Sequence, residues 1–123
     1  MKVAIPRFGE VVAPCFEYSA TIAVFTLRGR KVIDQTDFCL QSREAFDRLR
    51  LLRDQRVDTL ICGGVQAFFE DALVESGISV ISWVSGSVDD LLKRFLAGDL
   101  VARAVRRCRP VRTTPATRRR QES

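Results

Sequence analysis

Two β-branched, apolar-rich runs, TIAVFTL and KVIDQTDF, are separated only by Arg28-Gly29-Arg30, and no helical pattern appears before Ser42. A tight glycine turn between such runs makes an antiparallel hairpin. After Ser42 the pattern changes to helix and strand in alternation, and a crossover helix between two strands forces them to run parallel. A hairpin followed by alternation therefore dictates one mixed sheet with helices on its faces.

The individual elements follow from periodicity and punctuation. KVAIP is a first strand buried on both faces and closed by Pro6, and RFGEVVAPCFEY, broken by Gly9 and Pro14, reads as an irregular loop. REAFDRLRLLRDQ places Ala45, Phe46, Leu49 and Leu52 on one helical stripe, with Ser42 as N-cap. VDTLICGG is a strand ending in glycines. QAFFEDALVESG repeats the helical pattern through Phe68, Phe69, Ala72 and Leu73 until Gly77. ISVISWV is the last strand, and SVDDLLKRFLAGDL is a helix capped by Ser87, with Asp89 and Asp90 in its first turn and Leu91, Leu92, Phe95 and Leu96 inward. The order is β-β-β-α-β-α-β-α, which predicts an α/β protein with a five-stranded sheet, strand 1 central.

At 123 residues and 46% apolar, the chain is the size of one ordinary domain. No apolar run reaches the roughly 20 residues of a membrane helix, and the start MKVAIPRFGE is too short and polar for a signal peptide. A cytoplasmic location is expected, where thiols stay reduced. The net charge of +5 is unevenly placed: residues 1–101 carry 12 Lys+Arg against 14 Asp+Glu, while 102–123 carry eight arginines and one glutamate. The division is thus a domain over 1–101 and an arginine-rich tail over 102–123, expected to be disordered and solvated. Its arginines offer weak electrostatic contact with nucleic acid or an acidic partner, but no aromatic interleaves them to stack on bases.

Chemistry is bounded by what is missing. There is no histidine, no CxxC pair, no GxxxxGK[ST] loop and no GxGxxG, which argues against triads, common catalytic zinc sites, zinc ribbons and nucleotide loops. Soft-ligand chemistry survives. Strand direction alone puts Cys15, Cys39 and Cys62 at the carboxyl edge of the sheet, where α/β folds bind ligands. They are the candidate metal ligands, for an iron–sulfur cluster or soft metal held with a position open. Gly63 and Gly64 would let backbone approach the cargo, and Ser85, Gly86 and Ser87 would complete the site by hydrogen bonds. Each cysteine alone also suits core packing, and Ser87 suits a helix cap. Cys62, beside Gly63 and near a helix start, is the position for a reactive thiol if the protein senses redox state. Cys108, in the tail, reads as an exposed free thiol.

KVAIP, VVAPCFEYSATIAVF, VDTLICGGVQ and SGISVISWVSGSVDDLLKRFLAGDL, in this order over about 100 residues, resemble the dinitrogenase iron–molybdenum cofactor biosynthesis (NifX/NifB-type) domain family. The resemblance implies a ribonuclease H-like fold without nuclease activity, and a non-enzymatic role in binding or carrying a metal–sulfur cluster, with a donor or acceptor protein as partner. Three positions depart from the family pattern: Ala13 stands for Ser, Glu17 for Asp, and Cys15 fills a variable place where some members carry His. The alternative is a small interaction module that binds a protein or nucleic acid through its sheet edge or basic tail.

Overall fold

A computed structural model of the chain describes residues 1–42 and 44–100. Arg43 and residues 101–123, with the arginine tail and Cys108, lie outside the described residues. The strands are β1 (Lys2–Phe8), β2 (Val11–Val12), β3 (Thr21–Arg28), β4 (Lys31–Cys39), β5 (Thr59–Ile61) and β6 (Ser79–Ile81), and the helices are α1 (Ala45–Asp54), α2 (Ala67–Glu75) and α3 (Val88–Leu96). The sheet has six strands rather than five, because the segment expected to be a loop doubles back at Gly9 and pairs Val11 and Val12 with Phe8 and Arg7.

The main path is β4-β3-β1-β5-β6, with β1 in the middle. β3 is antiparallel to β1 and to β4, whereas β5 is parallel to β1 and β6 to β5. Strands β1, β4, β5 and β6 therefore point the same way. The chain leaves β1 toward one side of the sheet and reaches β5 from the other, so the carboxyl ends of β1 and β5 flank the reversal in strand order.

Pro6 does not close β1, which runs on to Phe8 in register with β3. Pairing with β5 stops at Ala4 opposite Leu60, so Pro6 faces no parallel neighbour that needs its missing N–H. Its carbonyl instead accepts the Ala13 amide at 2.8 Å.

Alternation along β1, β3 and β5 splits the core in two. Ala4, Ile22, Val24, Leu60 and Cys62 meet Leu49 and Leu52 of α1 and Phe69 and Leu73 of α2 on one face; Val3, Ile5, Phe25 and Ile61 meet Leu91 and Leu92 of α3 on the other. Each such buried aliphatic contributes about 1.5–3 kcal/mol. Phe46 and Phe68 depart from the inward stripe: both are exposed and cluster with Phe69, the three rings 5.1 to 5.8 Å apart between centroids. Ser87 caps α3, its hydroxyl accepting the Asp90 amide at 3.0 Å. Ser42 lies two residues ahead of the N-cap of α1, Glu44, and its hydroxyl accepts the Glu44 amide.

Candidate functional site

At the carboxyl edge, the loops after β1, β5 and β6 are laced together by backbone. In the loop after β5, Gly64 donates to Pro14 O at 2.7 Å and its own carbonyl accepts from Phe16, which makes a parallel bridge between Cys15 and Gly64. In the loop after β6, Trp83 donates to Gly63 O and Val84 to Cys62 O. That loop returns to the first, with Val12 donating to Gly86 O and Val88 to Glu10 O. A platform held by so many crossing bonds is rigid before anything binds.

The two glycines are explained by this lacing. A Cβ on Gly63 would stand 2.7 Å from the Ala13 carbonyl oxygen, and one on Gly64 would meet Pro14 O at 3.0 Å and the Trp83 ring at 3.2 Å. The close approach is made by the chain's own loop, and the Gly64 amide is spent on Pro14.

Beside this platform lies a cleft of about 500 Å³, lined by Arg7, Phe8, Pro14, Cys15, Tyr18 and Thr21 among others. Cys15 is half-buried in its wall. Arg7 brings positive charge; its Nε donates to Gly9 O at 2.7 Å, and its guanidinium lies 3.7 Å from Asp37. The 3-10 turn Phe16–Tyr18 forms the next wall, pinned by the fully buried Phe16. Arg48, buried on α1, holds this turn by donating to Ser19 O, Ser42 O and Glu44 O.

The cysteines share the edge but do not converge. Cys39 ends β4, exposed, with its sulfur 4.0 Å from the Thr21 hydroxyl on the cleft wall. Cys62 turns into the core under α1 and α2 and is fully buried. Burial, then the charges of Glu17 and Cys15, push its thiol from 9.0 up to about 12, so it is not the low-pKa thiol a redox sensor needs. Glu17 is itself buried: its Oε2 accepts the Gln66 amide at 3.2 Å, while its Oε1 has no hydrogen-bond partner among the described residues. Among those residues no group of three His, Cys, Asp or Glu side chains is placed to hold a metal ion. Ser85 and Gly86 are exposed, and Ser87 is occupied with its cap.

Arg7, Thr21 and Trp83 were not among the residues expected from sequence. Arg7 could have been found as the first charge after the apolar stretch of β1, and Trp83 as a lone tryptophan just beyond β6.

The model of the dinitrogenase iron–molybdenum cofactor family matches residues 1–98. The chain belongs to this family. Solved structures agree on the fold. The protein designated PH0822 superposes with a TM-score of 0.77 at 24% identity, covering 84% of this chain and 95% of its own. A Methanocaldococcus jannaschii protein with a provisional dinitrogenase name gives 0.70 at 18%, covering 81% and 91%. The apo form of the orange protein of Desulfovibrio gigas gives 0.69 at 20%, covering 82% and 91%. No curated protein matches the sequence. Among the described residues, no helix is long and apolar enough to cross a membrane.

Proposed function

We propose that this member of the family is a non-enzymatic carrier of a metal–sulfur cluster of iron–sulfur or iron–molybdenum type, in cofactor assembly or delivery. The observation that carries the reading is the cleft at the carboxyl end of β1, between it and the start of β3, lined by both Cys15 and Arg7. Sulfide-rich clusters are anionic and soft: Arg7 supplies the charge and Cys15 a sulfur ligand. Cys62 is sealed and holds its proton, and Cys39 reaches the cleft only by way of Thr21. The donor set therefore fits a cargo that arrives with its own sulfides better than one assembled on three protein thiolates.

Exposed aromatic side chains support the delivery half of the reading. Phe8, Tyr18, Phe46, Phe68 and Trp83 are the exposed aromatics among the described residues; all end or follow strands at the carboxyl edge, and Phe8 and Tyr18 line the cleft itself. A donor or acceptor protein would meet the carrier there.

The test is anaerobic titration of the full chain with a preformed iron–sulfur cluster capped by small thiols, followed by gel filtration. The expected result is cluster absorbance travelling with the protein at about one per chain. Cys15→Ala and Arg7→Gln each weaken it by about tenfold, the scale of one charge-assisted contact. Absence of absorbance in the protein peak, or uptake indifferent to both substitutions, would overturn the reading.

A further inference from the structure

Trp83 holds a backbone conformation that a bulky L-residue rarely adopts, with φ at +62°. It is not a turn residue of convenience, since its amide donates to Gly63 O at 2.8 Å and the next amide donates to Cys62 O at 3.2 Å. The lacing of the loops therefore imposes the left-handed geometry. Glycine would adopt it without strain, yet the chain places its single tryptophan there. The indole gains little burial in return, being 69% exposed. Strain kept at an exposed aromatic, with no core packing to account for it, points to a use for the side chain.

The position of the ring says what that use is. Its six-membered part lies against Gly64, 3.2 Å and 3.4 Å from where a Cβ would be. Gly64 bridges to Cys15, and the same Cβ position is 3.0 Å from the carbonyl oxygen of Pro14, which lines the cleft. The indole thus packs over Gly64, whose backbone is bridged to Cys15 of the cleft wall. Its Nε1–H has no acceptor among the described residues. An indole offers a donor N–H and a positive ring edge, and both suit sulfur-rich, anionic surfaces.

We propose that Trp83 touches the cargo: its indole extends the cleft wall past Pro14 and presents its edge and N–H to the cluster's sulfides, and the left-handed backbone is what aims it. This rests on the carrier reading, and the test separates the two. Wild type, Trp83→Phe and Trp83→Gly are titrated anaerobically, as full chains, with the same thiol-capped iron–sulfur cluster, and each is unfolded in urea. Trp83→Phe keeps the ring edge and binds within about threefold of wild type, whereas Trp83→Gly binds about five- to tenfold more weakly. Its urea midpoint is equal to or above that of wild type, because glycine relieves the left-handed strain. Equal affinity in all three chains overturns the role of Trp83 while leaving the carrier reading standing. Loss of stability in Trp83→Gly together with loss of affinity makes the indole a structural element and overturns it as well. If wild type takes up no cluster, the carrier reading falls, and this inference with it.

Discussion

The Cys62 thiol sits two residues from the backbone bridge to Cys15 and yet belongs to the core. Residues alternate across a strand, so Leu60 and Cys62 face α1 and α2 while Ile61 faces α3. That parity is legible in the run VDTLICGG; which face the cleft borders is not, because it depends on how the loop after β1 folds back. The direction of the titration follows from burial. Burial first, then Glu17 and Cys15, raise the thiol from 9.0 to about 12 in the folded chain, while the unfolded chain ionises near the ordinary value. Between those two limits the unfolded state has lost a proton that the native state keeps, so stability falls as pH rises through the window. The slope approaches about 1.4 kcal/mol per pH unit. Urea unfolding under reducing conditions at about pH 8.5 and 10.5 should show this loss in wild type and a loss smaller by about 1–2 kcal/mol in Cys62→Ala. Parallel pH dependence in the two chains would mean that the thiol ionises freely in the fold.

At the scale of elements, the order of strands and helices is readable because each carries its own periodicity, and the tight turn at Gly29 and the crossover helices leave little choice of direction. What escapes is β2, where two residues show no pattern at all, and the turn Phe16–Tyr18, whose place is set by distant partners: Gly64 for its first amide and Arg48 for the Ser19 carbonyl behind it. Phe46 and Phe68 escape for a related reason, since helical spacing marks a stripe but not where the sheet beneath it ends. The glycines of ICGG are legible as a close approach, but not as an approach of the chain to itself. This makes a prediction about the loops as a unit. In Gly63→Ala the new methyl group would sit 2.7 Å from the Ala13 carbonyl oxygen, and backbone on either side would have to move. The loop after β1 would be pushed off its platform, at a cost of about 1–3 kcal/mol in urea unfolding. Cluster affinity would fall too, because Cys15 rides on that loop. A chain as stable as wild type would show that the loops are less tightly laced than their hydrogen bonds imply.

For the whole molecule, the two regions of the sequence carry different charge. Among the described residues, the strands and helices run from Lys2 to Leu96 and build both halves of the core. Leu100, the last described residue, packs against the core, and the family match ends at 98. The eight arginines beyond it leave the preceding 101 residues with a slight acidic excess, so the chain's positive charge is a property of the tail. If the cleft holds cargo without help from the tail, a chain ending at residue 101 should unfold at the same urea concentration as the full chain and bind the cluster with an affinity within about twofold. It should at the same time lose any salt-sensitive adhesion to polyanions, since several arginines acting together give the steep salt dependence that an isolated Arg7 does not. A truncated chain that fails to bind cluster would move the anion-holding charge from Arg7 to the tail, and the cleft would then be only half of the site.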